Sequence, residues 1–183
     1  MSLISMLEHP IEGINLSSAT LQDELGTGPT LVVFLRHLGC IFCREMVRDV
    51  RSAIEADSAY PPVLFFYQGT VADGREFFAR YFPGARAVAD LDRKFYAAAG
   101  VRQAPVVQLL SPRLMISAVR ATVKGNTQRI GRVTGDPMTM PAVMVFQHGQ
   151  IIWQHEFKHA GDHPQFATIP EIIRRAASPE TPH

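Results

Sequence analysis

The feature that most constrains the fold is an apolar run followed by two cysteines and an amphipathic segment. Residues 31–35 (Leu-Val-Val-Phe-Leu) are continuously apolar and rich in β-branched side chains, which is typical of a strand buried on both faces. Cys40 and Cys43 follow and are the only cysteines of the chain. Apolar residues then recur every three to four positions up to Ala56, which predicts a helix. The pattern therefore places a Cys-x-x-Cys pair where a strand gives way to a helix.

This position makes thiol redox chemistry the leading functional interpretation. A cysteine at a helix N-terminus faces unpaired backbone N–H groups and the positive end of the helix dipole, and both favour the thiolate. Cys43 lies almost one helical turn after Cys40 and is placed to close a disulfide with it. Two other interpretations stay open, namely two inert buried thiols and metal binding. The second is less favoured because a closed zinc site needs four ligands and the sequence has no further cysteine pair.

Basic side chains flank the cysteines in sequence, and they bear on the reactivity of the thiols. Positive charges near a thiol stabilise the thiolate, and the candidates here are Arg36, His37, Arg44 and Arg48. The negative charges of Glu45 and Asp49 disfavour the thiolate. We expect Arg44 to support the thiolate of Cys40. His37 is the candidate proton carrier because the unperturbed pKa of histidine lies near neutrality. A solvent-facing side chain is the alternative for each of these residues.

Composition and charge exclude several classes of protein. The 183 residues with 46% hydrophobic content fit one domain over residues 1–183, with 178–183 predicted to fray. A net charge of +1 gives no field that would steer nucleic acid or an anionic membrane. The N-terminus lacks a basic start followed by a long apolar run, so we predict a cytoplasmic protein. No glycine-rich phosphate loop occurs, so no organic cofactor is expected.

Alternating strand and helix patterns continue after the cysteines. Val63 to Tyr67 reads as a second buried strand, and a short helix follows Asp73 and ends at Pro83. A short strand from Ala87 precedes a helix begun by Asp90 or Asp92 and ended by Gly100. A further helix is predicted from Ser111 to about Gly125, whereas residues 105–110 give no clear pattern. Two strands joined by a helix imply a parallel pair, which places Cys40 at the carboxyl edge of the sheet.

The last part of the chain predicts a hairpin and a closing helix. Pro141 to Phe146 and Gln150 to Phe157 alternate as strands around the turn residues His148 and Gly149. Thr168 and Glu171 have the spacing of a capping box, so a final helix is expected to cover the sheet. Four histidines fall within sixteen residues here: His148, His155, His159 and His163. Strand-like and helix-breaking residues between them argue against convergence, so no metal site is predicted.

These residues carry a resemblance to a known family. From about Leu21 to Ala177 the chain resembles the peroxiredoxin-like branch of the alkyl hydroperoxide reductase/thiol-specific antioxidant (AhpC/TSA) superfamily. The resemblance rests on four ordered segments: 34–44 with both cysteines, 90–101 with Asp-x-Asp-Arg-x-x-Tyr, Gly135-Asp136, and 160–164 with Asp-His-Pro. It implies a thioredoxin-like α/β fold, in three layers with a central mixed sheet flanked by helices, and an antioxidant or oxidoreductase role.

The resemblance also implies partners and a substrate-binding wall. In thioredoxin-like folds a cis-proline before the penultimate strand packs against the redox cysteines, and Met140-Pro141 is the candidate here. Met140, Pro141 and Arg44 are therefore the predicted substrate-binding residues. A small peroxide or a protein disulfide is the expected substrate, and a thioredoxin- or glutaredoxin-like protein the expected reductant. A homodimer is a further prediction.

The chain departs from the family pattern at positions that matter for chemistry. Val33 and His37 occupy the positions at which peroxiredoxins keep a proline and a threonine, and Phe34 stands where thioredoxins keep a buried aspartate. The predicted mechanism uses Cys40 as nucleophile and Cys43 as resolving thiol. The competing hypothesis is a redox-inert or redox-sensing interaction module that keeps the fold without turnover.

Overall fold

A mixed β-sheet forms the centre of the protein. The computed structural model describes residues 3–103, 134–159 and 161–177, and within these residues the sheet has six strands. The strands are β1 (Gly13–Ile14), β2 (Thr30–Phe34), β3 (Val63–Tyr67), β4 (Arg86–Ala89), β5 (Ala142–Gln147) and β6 (Gln150–Gln154). Their spatial order is β1-β4-β3-β2-β5-β6.

The strand that precedes the cysteines, β2, has one parallel and one antiparallel neighbour. β2, β3 and β4 are parallel, whereas β1 pairs with β4, β5 with β2 and β6 with β5 in antiparallel fashion. Phe34, the last residue of β2, lies opposite Phe66 on one side and Ala142 on the other. The carboxyl end of β2 therefore meets the beginning of β5. The predicted mixed sheet is confirmed.

Helices cover both faces of the sheet. They are α1 (Leu21–Leu25), α2 (Ile41–Ala56), α3 (Val71–Tyr81), α4 (Lys94–Ala98) and α5 (Ile169–Ala177), with 3-10 turns at Leu3–Met6 and Phe166–Thr168. Alternation along β2 sends Leu31 and Val33 towards the core shared with α2, α3 and α5. Val32 and Phe34 point to the opposite core, which contains α1, α4 and the first 3-10 turn. Three layers result, as predicted.

The helix that follows β4 begins later than its first candidate cap, for a reason visible in its hydrogen bonds. The buried carboxylate of Asp90 accepts hydrogen bonds from the backbone N–H groups of Lys94, Phe95 and Tyr96. It thereby satisfies donors that an isolated helix start leaves unpaired. Of the two predicted helix-starting residues, Asp90 is the one that does so, although α4 itself begins at Lys94.

Two local predictions are wrong. The Met140–Pro141 bond is trans, and the residues before it pair with the segment at 102–103 through the Gln103–Thr139 bridge and a hydrogen bond from Met140 N–H to the carbonyl of Arg102. Thr168 does not form a capping box with Glu171. Its hydroxyl donates to the carbonyl of Gln165 within the 3-10 turn, and Glu171 pairs with Arg174 and Arg175 instead.

Of the other local predictions, the hairpin is confirmed, and two concern residues that the structure does not describe. The hairpin is present, with His148 and Gly149 both at positive φ in its two-residue turn, and β6 ends at Gln154. The helix predicted from Ser111 to about Gly125 and the tail at 178–183 lie outside the described residues. In the described part of the chain, no helix has the length and apolarity to cross a membrane.

Replacing Gly74 of α3 by alanine should destabilise the protein, although alanine normally favours a helix. A Cβ at this position would lie 2.2 Å from Cζ of Tyr67, whose ring is completely buried in the core. We expect Gly74→Ala to lower the free energy of unfolding by about 1–3 kcal/mol, the usual cost of overpacking a core. Urea denaturation measures this free energy for the parent protein and the variant. Gly28→Ala is the matched control, since a Cβ there meets nothing within 4 Å, and equal stability of the two variants would contradict the packing argument.

Candidate active site

Cys40 is the residue that caps α2 at the carboxyl edge of the sheet. Its backbone is extended, at φ −75° and ψ 127°, and the helix begins at the next residue. The backbone N–H groups of Phe42 and Cys43, in the first helical turn, lie near its sulfur and lower its pKa. Both cysteines are free thiols, with Cys40 5% and Cys43 1% exposed. The strand-to-helix junction predicted from the sequence is confirmed.

The two thiols have opposite electrostatic environments. A hydrogen bond from the Cys43 thiol, the positive charge of Arg36 and the helix N–H groups outweigh burial and lower the pKa of Cys40 to about 6. Burial and the charge on its neighbour raise the pKa of Cys43 well above its ordinary range. Cys40 is therefore the thiolate near neutral pH, and Cys43 stays protonated. The roles of Cys40 as nucleophile and Cys43 as resolving thiol stay predictions.

Arg36 supplies the positive charge at the sulfur. Its side chain is buried, and Nη1 lies 3.8 Å from Sγ of Cys40. Nε donates to the carbonyl of Thr139 at 2.9 Å and Nη2 to the carbonyl of Pro137 at 2.5 Å. The backbone N–H of Arg36 also donates to Sγ of Cys43 at 3.3 Å. One residue thus contacts both sulfurs and fixes the segment 137–139 beside them.

Gln68, just after β3, holds the same segment from the other side. Its side-chain nitrogen donates to the carbonyl of Arg36, and its oxygen accepts from the backbone N–H of Asp136 at 2.8 Å. Gly135 has φ +70°, and a Cβ there would lie 2.4 Å from Cβ of Gln68. The Gly135-Asp136 pair noted in the sequence therefore allows a close approach of the backbone to this glutamine.

The Asp-x-Asp-Arg-x-x-Tyr segment supports the site without contacting the sulfurs. Arg93 forms an ion pair with Asp136 at 2.6 Å. The hydroxyl of Tyr96 donates to the carbonyls of Leu35 and Phe66. Leu35 is the residue that connects β2 to Arg36. These contacts tie the end of β2 to the segment at 134–139. Arg36, Gln68 and Asp136 are the positioning residues for which sequence spacing alone gave no assignment.

His37 lies in the site, but its environment limits its predicted role. Its carbonyl accepts from the backbone N–H of Cys40 at 3.0 Å. Burial, followed by the charges of Arg36 and Arg44, lowers the pKa of His37 to about 4. The imidazole is therefore neutral at pH 7 and is a weaker base than an ordinary histidine, which makes proton uptake near neutral pH unfavourable. Its role as proton carrier stays a prediction.

The remaining predicted site residues lie around this centre. The guanidinium of Arg44 is buried over the ring of Tyr81, 5.8 Å from its centroid, and it acts on the pKa of His37. The thiolate-supporting role predicted for Arg44 therefore passes to Arg36. Met140 and Pro141 line a cavity of about 190 Å³ together with residues 100–102 and 154–157. Substrate binding by Arg44, Met140 and Pro141 stays a prediction.

The four clustered histidines do not form a common site. His148 lies in the exposed hairpin turn, and the ring of His155 contacts the carbonyl of Asp162 at 2.9 Å. His163 instead faces two carboxylates of α2, those of Glu45 and Asp49. The absence of a metal site among these histidines stays a prediction.

Sequence comparison assigns the chain to a family. The model of the AhpC/TSA antioxidant enzymes matches residues 49–159, which is more than half of the chain, and the protein belongs to this family. The matched region begins after Cys43, so the family assignment rests on residues other than the cysteine pair. Among curated proteins, none matches this chain.

Solved structures share the fold at low sequence identity. A thiol:disulfide interchange protein DsbE from Chlorobium tepidum is 13% identical, with a TM-score of 0.55 over 92% of this chain and 94% of that chain. The bacterioferritin comigratory protein of Xanthomonas campestris, described for alkyl peroxide reduction, is 13% identical, with a TM-score of 0.56 over 95% of this chain and 94% of that chain. The likeness is one of fold.

Removing the charge of Arg36 should make Cys40 a weaker acid. Iodoacetamide reacts with the thiolate, so its rate in the folded, reduced protein should rise with pH around a midpoint near 6. In Arg36→Met we expect the midpoint to move up by about 1 pH unit or more. Arg36→Lys, which keeps the charge, should lie between the two. Mass spectrometry of the alkylated Cys40 peptide gives the rate at each pH.

Two other arginines serve as controls for this effect. Arg44→Met tests the residue first expected to support the thiolate, and Arg51→Met removes an exposed charge from the same helix. Both variants should keep the midpoint of the parent protein. A larger shift in Arg44→Met than in Arg36→Met would return the role to Arg44.

The ring of His37 should stay neutral throughout the physiological range. Burial and the neighbouring guanidinium groups disfavour its charged form, so its NMR resonances should titrate with a midpoint near pH 4. The spectrum of His37→Asn assigns the signal. A midpoint near the ordinary value of 6.5 would show that the ring carries a proton often enough to act as a donor near neutral pH.

Proposed function

We propose that this protein is a dithiol oxidoreductase that acts through Cys40 and Cys43 on a small peroxide or a disulfide. The observation that carries the proposal is the opposite shift of the two pKa values, downwards for Cys40 and upwards for Cys43. Such a pair offers one thiolate for attack and one thiol that keeps its proton for the second step. The antioxidant family to which the chain belongs supports the same general chemistry.

The proposed cycle with a peroxide balances in two steps. The Cys40 thiolate attacks one peroxide oxygen, the O–O bond breaks, and an alkoxide or hydroxide leaves and takes up a proton. Cys40 is thereby oxidised to the sulfenic acid. The Cys43 thiol then forms the S–S bond with Cys40 and water is released. With a disulfide substrate, the Cys40 thiolate attacks one sulfur, the substrate S–S bond breaks, and the other sulfur leaves as a thiolate that takes up a proton. Cys43 then gives up its proton and attacks Cys40 of the mixed disulfide, which forms the Cys40–Cys43 bond and releases the second substrate thiol.

A reductant has to restore the pair. We propose a thioredoxin- or glutaredoxin-like dithiol protein, which takes the disulfide onto its own cysteines and returns two thiols to Cys40 and Cys43. The cavity bounded by Met140 and Pro141 is a candidate surface for the substrate. Location in the cytoplasm and assembly as a homodimer remain predictions from the sequence.

A second candidate function has one observation in its favour. Only 5% of Cys40 is exposed, which suits a shielded thiol in a redox-inert or redox-sensing interaction module. Burial alone slows attack on a large substrate but leaves room for a small oxidant. Turnover therefore separates the two functions.

Oxidation by hydrogen peroxide should join the two cysteines in the parent protein. One equivalent added to the reduced protein should remove two hydrogens, measured as the intact mass, because Cys43 condenses with the sulfenic acid of Cys40. Cys43→Ser should gain one oxygen instead, trapped with a sulfenic-acid reagent. Cys40→Ser should change in neither way.

Turnover is tested by coupling the protein to thioredoxin, thioredoxin reductase and NADPH. With peroxide or a mixed glutathione disulfide as oxidant, NADPH consumption should depend on both cysteines. Comparison of the two oxidants decides between peroxide and disulfide reduction. An unchanged mass and slow alkylation of Cys40 in the folded protein would refute the oxidoreductase and favour the interaction module.

A further inference from the structure

Three side chains of types that bind metal ions meet beside α2. Glu45 and Asp49 are one helical turn apart on α2, and His163 comes from the segment that leads into the last helix. One ligand atom from each lies within 4.8 Å of the others. We propose that these residues bind a divalent transition-metal ion such as Zn²⁺.

The spacing of the three atoms suits one shared ion. Nε2 of His163 lies 3.8 Å from Oε2 of Glu45 and 3.9 Å from Oδ2 of Asp49. In a tetrahedral site with Zn–N and Zn–O bonds of about 2.0–2.2 Å, two ligand atoms lie about 3.3–3.6 Å apart. Both distances are too long for a hydrogen bond, and they exceed the ligand spacing of a tetrahedral zinc site by only a few tenths of an ångström. A small rotation of either carboxylate closes the site further.

The imidazole of His163 is the second, independent observation. Its side chain is only 7% exposed, and within the described residues Nε2 makes no hydrogen bond although it is buried. Buried polar nitrogen atoms are rarely left in this state. The ring stacks on Phe166, with 24° between the planes and 5.8 Å between the centroids. In this position its Nε2 atom faces the carboxylates of Glu45 and Asp49.

The donor set defines the class of ion. An imidazole nitrogen with two carboxylate oxygens suits Zn²⁺ and related transition metals, whereas Mg²⁺ and Ca²⁺ prefer oxygen ligands alone. The side chain of Asp49 is 35% exposed, so the site opens to solvent at this residue. Water is therefore able to supply a fourth ligand, which completes a tetrahedron.

A bound ion would join two distant parts of the chain. Glu45 lies two residues after Cys43, and His163 lies three residues before the buried Phe166 of the 3-10 turn. The metal would hold the C-terminal segment against α2 near its first turns. Its proposed role is thus structural, and it requires no electron transfer and no activity of the cysteines.

Binding is tested with Zn²⁺ and Co²⁺ on untagged, metal-free protein that carries Cys40→Ser and Cys43→Ser. This background removes the thiols, which are themselves zinc ligands, and it separates the metal site from the proposed redox function. Titration calorimetry should give about one Zn²⁺ per chain, with a dissociation constant of order micromolar or below. Co²⁺ should give the visible absorption bands of a tetrahedral nitrogen–oxygen site.

Variants of the ligands decide whether the ion binds at this place. His163→Asn, Glu45→Gln and Asp49→Asn should each weaken Zn²⁺ binding by about tenfold or more. They should also lose the rise in Tm that Zn²⁺ gives to the parent protein. His148→Asn changes an exposed histidine of the hairpin turn and should bind as the parent does. Asp49→Asn is nearly isosteric and half-buried, so it keeps the test valid if a more buried variant fails to fold.

Each outcome bears on the proposal. Stoichiometric binding that is lost in the three ligand variants and kept in His148→Asn would support it. Binding that is unchanged in His163→Asn would place the ion elsewhere and overturn it. Absence of binding at millimolar Zn²⁺ in the folded parent would overturn it as well, and would leave His163 and the two carboxylates as a packing contact.

Discussion

The buried guanidinium of Arg36 is the interaction on which the arrangement of the site depends. It places a positive charge 3.8 Å from the sulfur of Cys40 and donates to two carbonyls of the segment at 137–139. A buried cation is costly unless it is paired and hydrogen-bonded, and a thiolate together with backbone carbonyls meets that need. The thiolate and the arginine therefore stabilise each other. Removing either one leaves the other in an environment of low polarity with fewer partners.

Several residues that do not contact the sulfurs hold the backbone segments around Arg36 in place. Gln68 joins the backbones of Arg36 and Asp136, Arg93 pairs with Asp136, and Tyr96 reaches the carbonyls at the ends of β2 and β3. These contacts come from three parallel strands whose carboxyl ends share one edge. In open α/β sheets this edge is where loops from different strands converge. The position of the site is therefore a consequence of the topology.

Local sequence patterns predicted the parts of the structure that local forces decide. The apolar runs, the periodicity of α2 and the glycine turn of the hairpin each identify an element, because burial and backbone conformation act over a few residues. The position of Cys40 at a helix N-terminus was also predictable, since the helix pattern begins directly after it. Arg36 was one of several nearby cations, and only its contacts with Pro137 and Thr139, about a hundred residues away, distinguish it from Arg44. The pairing of Thr139 with Gln103, just before Pro141, likewise joins two segments that are distant in sequence, which no local pattern contains.

The long sequence separation of these contacts has a consequence for the protein during its synthesis. Both cysteines and the whole of α2 are complete long before residues 134–139 leave the ribosome. Until that segment docks, the guanidinium of Arg36 lacks its two carbonyl acceptors, and the first helical turn stands without the core that fixes it. The charge of Arg36 that lowers the pKa of Cys40 is therefore fixed in place only when the C-terminal third of the chain has been made. The acidity of this thiol is a property of the finished fold.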